Sequence, residues 1–288
     1  MDLAREVFGV RFQNPIVLAA GTAGYGREIA GVMDLHRLGG LISKAVSLAP
    51  RAGNAPPRVA EYRGGMLNSI GLANPGLVAV RDDHLPWLVA NASPARVIVN
   101  VVGFEADEYA AVIDGLEAVD GVTAYELNLS CPNTSAGGIE FGADPACVAR
   151  ILEGCRARTR RALIAKLSPV LPDIGEMALV ARDSGADGIS VVNTVPGSLT
   201  YDDGRSRLGH GSGGVSGPAL LAIGVRAVHR VLERTGGVPV IGVGGVSSAS
   251  DARQYLRAGA TLVAIGTAAL ADPRIPEKVI AGLERDGA

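Results

Sequence analysis

Residues 238–268 have the sequence VPVIGVGGVSSASDARQYLRAGATLVAIGTA. The apolar runs at 238–244 and 262–267 have the length of buried strands, and the segment between them, 248–258, has the period of an amphipathic helix. A strand, a helix and a second apolar strand form the unit from which parallel sheets are built. This stretch therefore predicts an α/β fold whose sheet is covered by helices.

The same alternation recurs along the whole chain. Eight strand–helix units in 288 residues predict a (β/α)8 TIM barrel that forms a single domain over residues 1–288, and a doubly wound open sheet is the alternative. The other helix-like segments lie near 26–38, 105–118, 145–160, 173–185, 217–235 and 270–285. The other strand-like runs are 15–20, 40–46, 96–103, 125–130, 163–168 and 188–194.

Three segments lie outside this alternation. We expect residues 2–12 to form a small N-terminal hairpin that closes the floor of the barrel. The segments 48–77 and 196–214 are rich in Gly, Pro, Ser, Asn, Asp and Arg and are long for simple connections. They are predicted to be long functional loops at the C-terminal face, with 196–214 acting as a lid or facing a partner.

Composition excludes several classes of protein. Hydrophobic residues make up 48% of the chain and charged residues 19%, which indicates a buried globular core. No apolar run approaches the roughly 18–20 residues that a membrane span needs, and the charged N-terminus has no signal-peptide core, so a cytoplasmic protein is expected. A net charge of −2 without a basic run argues against nucleic acid as a partner. Three cysteines without Cys-x-x-Cys spacing predict neither a disulfide framework nor a metal site.

Polar residues interrupt five of the predicted strands near their carboxyl ends, where the active sites of such barrels lie. Asparagine is disfavoured in strands, and a buried lysine is costly unless it is paired. Only three of the 27 basic residues are lysine, and two of them lie within these strands. Any one of these residues could be a satisfied core group, but five at equivalent positions indicate a ligand site. They are Lys44, Asn100, Asn128, Lys166 and Asn193.

Glycines follow the last two predicted strands, at Gly244–Gly245 and at Gly266 before Thr267. Backbone N–H groups before a helix attract anions, and loops after strands seven and eight hold phosphate in many barrels. A phosphate site beside amides and two lysines fits flavin mononucleotide (FMN). We place Asn100 and Asn128 at the edge of its ring, and Lys166 near N1/O2, where a cation stabilises the reduced ring. Lys44 is placed where flavin and substrate meet.

Several motifs are distributed along the chain: Lys44 with Val46 and PRAGNAPPR at 50–58, NSIGLANPG at 68–76, ELNLSCPN at 126–133, KLSP at 166–169, SGPA at 216–219, and GVGG at 242–245 with GTA at 266–268. Together they resemble the class 1 dihydroorotate dehydrogenase family, from about residue 14 to the last strand. The run GGIEFG at 137–142 is most similar to subclass 1B, in which this chain would be the catalytic subunit. At position 20, many relatives have serine where this chain has Ala20.

The resemblance implies oxidation of (S)-dihydroorotate to orotate in pyrimidine biosynthesis. Cys131 would be the general base, assisted by Lys44, and residues 134–142 would form a closing loop. Cys147 and Cys155 are interpreted as buried hydrophobes. The implied FMN contacts are Ala20, Gly21, Lys44, Ala45, Asn100, Asn128, Lys166, Val192, Gly217, Gly244, Gly245, Gly266 and Thr267. The implied substrate contacts are Lys44, Asn68, Ser69, Ile70, Gly71, Leu72, Asn128, Asn133, Asn193 and Thr194.

The resemblance also implies a homodimer that forms the core of a hetero-oligomer. Its partner subunit would carry FAD and a [2Fe–2S] cluster and pass electrons to NAD, although fumarate or another acceptor remains open. Three alternative functions stay open at this point. They are a dihydropyrimidine reductase acting on uracil or thymine, a catalytically silent flavin-binding subunit, and a non-redox lyase or isomerase that uses Lys166 as a Schiff-base amine.

Overall fold

A closed barrel of eight parallel strands forms the centre of the computed structural model, which describes residues 3–130 and 141–286. The strands of this part of the chain are β1 (Arg5–Val7), β2 (Val10–Phe12), β3 (Ile16–Leu18), β4 (Gly40–Ile42), β5 (Val59–Tyr62), β6 (Gly65–Asn68), β7 (Arg96–Val101), β8 (Val122–Asn128), β9 (Ala162–Leu167), β10 (Gly188–Val191), β11 (Val195–Gly197), β12 (Gly213–Ser216), β13 (Val240–Val243) and β14 (Leu262–Ile265). The barrel order is β3-β4-β7-β8-β9-β10-β13-β14, and β14 pairs with β3 to close it. All eight predicted strands and the predicted TIM barrel are confirmed.

Helices surround the barrel. A π-helical turn, Val80–His84, joins the first two, and 3-10 turns lie at Leu35–Arg37 and Phe141–Ala143. None of the described helices is long and apolar enough to cross a membrane. The helices are α1 (Leu77–Ala79), α2 (Leu85–Ala92), α3 (Ala106–Leu116), α4 (Pro145–Arg156), α5 (Ile174–Asp183), α6 (Leu220–Thr235), α7 (Ala249–Arg257), α8 (Thr267–Ala271) and α9 (Ile275–Asp286).

The predicted N-terminal hairpin is confirmed as the antiparallel pair β1–β2. Val7 and Phe12 of this hairpin belong to the same buried cluster as interior side chains of the barrel strands, such as Val17 and Ile98. The ring of Phe8 lies so close to Gly188, at the start of β10, that a Cβ atom there would be 2.7 Å from it. The hairpin therefore closes the N-terminal end of the barrel with apolar side chains.

The segments predicted as long loops contain strands, which corrects the expectation of irregular structure. Strands β5 and β6 come from 48–77, β11 and β12 lie at the two ends of 196–214, and they form one antiparallel sheet in the order β11-β12-β6-β5. Gly214 of β12 is paired with Asn68 of β6. Because these partners are far apart in the chain, no local period reveals their pairing.

The helices differ from the prediction in three places. Residues 26–38 form turns and a short 3-10 segment rather than a helix. The helix at 77–92 was missed because its buried residues Val80 and Leu85 are five apart, a spacing that the π-helical turn produces by joining the Leu85 N–H to the Val80 carbonyl. Residues 270–285 form two helices, since Asp272 precedes a proline and adopts extended backbone with φ −141°.

Truncation of Phe12 in the hairpin tests whether the hairpin closes the N-terminal end of the barrel. Phe12 is fully buried, so Phe12→Ala should lower the free energy of unfolding by about 3–5 kcal/mol, measured by denaturant titration. Val78→Ala is the control, because Val78 is 61% exposed and its truncation should change stability by less than about 0.5 kcal/mol. Equal effects of the two variants would show that the hairpin does not seal the barrel.

Candidate active site

Three polar side chains on adjacent strands form a layer inside the carboxyl end of the barrel. Because alternate residues of a strand share a face, Asn100, Glu126 and Lys166 continue the interior rows that Ile98, Ala124 and Ile164 begin lower down. The Asn100 amide donates a hydrogen bond of 2.7 Å to Glu126 Oε1, and the Lys166 ammonium nitrogen lies 3.6 Å from the same oxygen. We call Asn100, Glu126 and Lys166 the polar layer.

The polar layer is almost entirely removed from solvent. Asn100 is 1% exposed, Glu126 0% and Lys166 7%. Within the part of the chain that the structure describes, Glu126 is the only buried carboxylate and Lys166 the only buried cation. Their attraction offsets part of the free energy lost when both charges leave water. Glu126 Oε2 has no hydrogen-bond partner among the described residues, so the layer has unused hydrogen-bonding capacity.

A second group of amides lies at the ends of β8 and β10. Asn193 donates from its side chain to Asn128 Oδ1 at 3.3 Å, and the Thr194 N–H donates to Asn193 Oδ1 at 2.9 Å. Tyr109 fixes the backbone here, because its hydroxyl donates to the Asn128 carbonyl at 2.8 Å. Three predicted substrate contacts are thus joined by direct hydrogen bonds.

The small sheet brings the segment 68–72 to the same edge of the barrel. The Asn68 side chain donates to the Gly214 carbonyl at 3.2 Å, and a Cβ atom on Gly214 would collide with Thr194. Gly214 is thus the link between Asn68 and Thr194, and it has to be glycine for them to approach. We call Asn68, Asn128 and Asn193 the amide row.

Residues 69–72 are held by asparagine side chains from both sides of the segment. Asn54 donates to the Ser69 hydroxyl at 2.7 Å, and the buried Asn74 side chain donates to the Leu72 carbonyl at 2.8 Å. Gly71 and Leu72 both have positive φ, at 68° and 57°, and Ile70 lies between Ser69 and this turn. Leu72 is one of two non-glycine residues with positive φ in the described chain, so these side-chain bonds maintain an unfavourable backbone conformation.

Lys44 follows β4 beside the polar layer. The buried Ser43 hydroxyl accepts from the Asn100 backbone N–H at 3.3 Å and donates to the Lys44 carbonyl at 2.9 Å. The next carbonyl, of Ala45, accepts from the Tyr25 hydroxyl at 2.9 Å, and burial raises the pKa of that phenol, so it remains a donor. The Lys44 ammonium group makes no hydrogen bond or ion pair with another described residue and is therefore available to a ligand.

Glycines at the ends of β12, β13 and β14 form a group that we call the glycine cradle: Gly217, Gly244, Gly245 and Gly266. None of their N–H groups donates to an acceptor in the described residues, so these donors can face an anion. The Thr267 hydroxyl donates to the Ser216 hydroxyl at 2.7 Å and joins two sides of the cradle. Free N–H groups on neighbouring loops fit the phosphate site that the sequence predicts.

The cradle is shaped by close backbone approaches. A Cβ atom on Gly245, whose φ is 72°, would lie 2.5 Å from the backbone nitrogen of Leu221. Tyr255 supports the neighbouring residue, because its hydroxyl donates to the Gly244 carbonyl at 2.8 Å. The first turn of α7 is capped within the chain, because the Ser248 hydroxyl accepts from the Asp251 N–H and Asp251 accepts from the Ser247 N–H.

The remaining predicted cofactor contacts surround these groups. Ala20 is partly buried against the barrel interior, and Gly21 has a φ of 81° with open space beside it. Val192 is buried and donates from its N–H to the Val243 carbonyl at 3.0 Å, next to the cradle. Cys131 and Asn133, with residues 134–140, lie outside the described residues. The described chain resumes at a buried Phe141, and the Gly142 N–H donates to the Leu129 carbonyl at 2.8 Å.

Sequence reasoning assigned no role to Glu126, although the motif at 126–133 begins with it. The available signal was a carboxylate two residues before Asn128 in an otherwise apolar strand, at a position whose alternation faces the interior. The role of Glu126 depends on its contacts with Asn100 on β7 and Lys166 on β9, and the sequence of β8 alone does not show these contacts.

The chain is a (β/α)8 barrel with a buried ion pair, an amide row and a glycine cradle at the carboxyl end of its strands. The family model for dihydroorotate dehydrogenase matches residues 2–286. The chain belongs to the dihydroorotate dehydrogenase family.

Relatives are similar over nearly the whole chain. A protein of Trichlorobacter lovleyi named dihydroorotate dehydrogenase B (NAD(+)), catalytic subunit, is 43% identical over 97% of this chain and 91% of its own length. A Desulforudis audaxviator protein of the same name is 44% identical over 98% and 91%. A putative dihydroorotate dehydrogenase A (fumarate) of Aquifex aeolicus is 42% identical over 99% and 93%.

Cys147 and Cys155 should not react with thiol reagents in the folded protein. Both are buried in α4, and burial raises the pKa of the Cys155 thiol to about 12. A raised pKa keeps that thiol neutral at pH 8, with a thiolate fraction of about one in ten thousand. Peptide mass spectrometry after iodoacetamide treatment should find both residues unmodified in native protein and modified after denaturation. Rapid native labelling of either residue would contradict this packing.

Proposed function

We propose that this chain oxidises (S)-dihydroorotate to orotate in de novo pyrimidine biosynthesis, as a single FMN-binding domain in the cytoplasm. The observation that carries the proposal is the buried Lys166–Glu126 pair beside the amide row, in a chain of the dihydroorotate dehydrogenase family. A buried cation suits a ring that becomes negatively charged, and several amides suit a flat substrate with many donors and acceptors.

The described residues fit FMN at two places. The glycine cradle offers unpaired N–H groups and the Thr267 hydroxyl for a phosphate. Lys166 and Asn100 offer a cation and an amide for the polar edge of the flavin ring. When bound, FMN supplies the acceptor for the hydride that leaves C6 of dihydroorotate. Ala20, Gly21, Lys44, Ala45, Asn128 and Val192 complete the proposed contacts.

The substrate residues bind and orient dihydroorotate. We assign its pyrimidine edge and carboxylate to the amide row, to Asn133 and Thr194, and to residues 69–72. Lys44 provides the positive charge for the carboxylate, since its ammonium group has no described partner. Cys131 then removes the proton from C5 as a general base. A thiol is suited to this because its ordinary pKa of about 8.5 lies near physiological pH.

We further propose that electrons leave through a partner subunit that carries FAD and a [2Fe–2S] cluster, with NAD as the final acceptor and a homodimer of this chain at the core. The names of the Trichlorobacter and Desulforudis relatives support NAD as the acceptor and the existence of a second subunit, because both specify NAD(+) and a catalytic subunit. The name of the Aquifex relative instead supports fumarate, which stays the second candidate.

Dihydroorotate should bleach the purified, flavin-loaded chain under anaerobic conditions, and dihydrouracil should not. The reason is the carboxylate of dihydroorotate, which Lys44 can bind and which dihydrouracil lacks. The readout is the absorbance of the oxidised flavin at about 450 nm, followed by stopped flow. Reoxidation by NAD should then require the partner subunit. No bleaching by dihydroorotate would refute the proposed activity.

Cys131→Ser should slow this bleaching by on the order of 10²–10⁴-fold, because a serine hydroxyl is a far weaker base than a thiol. The affinity for orotate, measured from the spectral change on titration, should remain within about threefold, since only one atom of the side chain is exchanged. Cys147→Ser is the matched control in a buried helix position outside the proposed site. An unchanged reduction rate in Cys131→Ser would assign the base to another residue.

Gly245→Ala should weaken binding of FMN more than binding of riboflavin, which lacks the phosphate. The added Cβ would lie 2.5 Å from the Leu221 nitrogen and displace the cradle, so we expect a loss of roughly tenfold or more in FMN affinity. Gly236→Ala is the control, because Gly236 has a similar φ of 70° but nothing within 4 Å of its added Cβ. Isothermal titration of the apoprotein measures both ligands, and equal losses for them would contradict a phosphate site.

A further inference from the structure

Glu126 is a buried carboxylate that the proposed reaction does not use. It is fully buried, one oxygen accepts from Asn100 and pairs with Lys166, and the other oxygen has no described partner. An unpartnered oxygen in a buried carboxylate costs free energy that a smaller or neutral residue would not. The position therefore has a feature that packing does not explain.

Fold stability is a poor explanation for this carboxylate. A buried ion pair is often no more stabilising than apolar residues of similar volume, because both charges must leave water. The interior rows below the polar layer are already filled by apolar side chains such as Ala124 and Ile164. Glu126 lies above these apolar residues, in the same layer as the proposed site residues Asn100 and Lys166. This position indicates a role in the site.

Two consequences follow from the geometry of Glu126. Its Oε1 atom holds the Asn100 amide at 2.7 Å and the Lys166 ammonium at 3.6 Å, so a single oxygen orients both groups. Its negative charge also cancels part of the positive charge of Lys166 in a region of low dielectric constant, where such charges act strongly. A lysine with a buried counter-ion attracts an anionic ring less than a lysine alone.

We propose that Glu126 is a positioning residue that orients Asn100 and Lys166 and, as the counter-ion of Lys166, lowers the reduction potential of bound FMN. This inference rests on the proposed function only in requiring FMN at the site. Reduction adds two electrons and leaves a ring that favours nearby positive charge. A carboxylate beside the lysine disfavours the reduced form and so makes the bound flavin a better electron donor to the next carrier.

Ser190 provides a matched control within the same part of the barrel. It is fully buried on β10, its backbone is paired with that of Lys166, and its hydroxyl has no described hydrogen-bond partner. Ser190→Ala removes a polar atom near Lys166 but changes no charge. If disturbed packing alone changes the reduction potential of FMN, Ser190→Ala should change it as well. If the charge of Glu126 is responsible, Ser190→Ala should leave the potential unchanged.

The test measures the reduction potential of FMN in the holoprotein by equilibration with a reference dye. Glu126→Gln keeps an oxygen that can accept from Asn100 but removes the charge. We expect reduced FMN to gain affinity relative to oxidised FMN on the order of tenfold, which raises the potential by about 30 mV for a two-electron couple. The potential of Glu126→Asp, which keeps the charge, should lie nearer that of the wild type. The potential of Ser190→Ala should equal that of the wild type.

An unchanged or lower potential in Glu126→Gln would overturn the inference, and so would an equal rise in Ser190→Ala. If Glu126→Gln does not fold, infrared difference spectra of wild-type protein with ¹³C-labelled glutamate decide the question. Flavin reduction should shift a buried carboxylate band, and no shift would overturn the inference.

The proposed function can fail separately. A holoprotein that dihydroorotate does not bleach would refute the activity, while dye equilibration would still measure the effect of Glu126. A chain that binds no FMN would overturn both proposals.

Discussion

In a closed parallel barrel, every second residue of each strand has to face a narrow interior. This constraint organises the whole molecule. Apolar residues fill the lower interior, where Ile98, Ile164 and Val17 share one buried cluster with Phe12 of the N-terminal hairpin. Two residues further along the same rows, the side chains become Asn100 and Lys166. The apolar core and the polar site are therefore separated by only two residues along each strand. The backbone hydrogen bonds between the strands fix the height of each charged side chain in the barrel.

The second organising element is the small antiparallel sheet above the barrel. It joins two segments that the sequence suggests to be independent loops, through the pairing of β6 with β12. Asn68 and Thr194 approach one another only because Gly214 lies between them. The amide row is thus assembled from a barrel strand, a barrel loop and this sheet, so the site depends on both sheets being in register.

The sequence predicted the barrel well because buried parallel strands are short apolar runs that are visible one at a time. It also located the polar strand ends, since Asn and Lys are unexpected there. The joining of β6 to β12 in the small sheet could not be predicted, because it pairs residues such as Asn68 and Gly214, which are 146 positions apart in the chain. The helix at 77–92 was hidden by the π-helical turn, which breaks the helical period. The role of Glu126 could not be predicted either, because it depends on contacts with Asn100 and Lys166 on the two neighbouring strands.

The pairing of Asn68 with Gly214 has a consequence for the order in which the protein is made. The two residues are separated by 146 positions, so the donor exists long before its acceptor. At a synthesis rate of about 5–20 residues per second, the interval is roughly 7–30 s. Closing so long a loop also costs chain entropy, which only the finished contacts repay. On the ribosome, β6 can pair early with β5, but Asn68 remains without its β12 partner until six of the eight barrel strands have been synthesised.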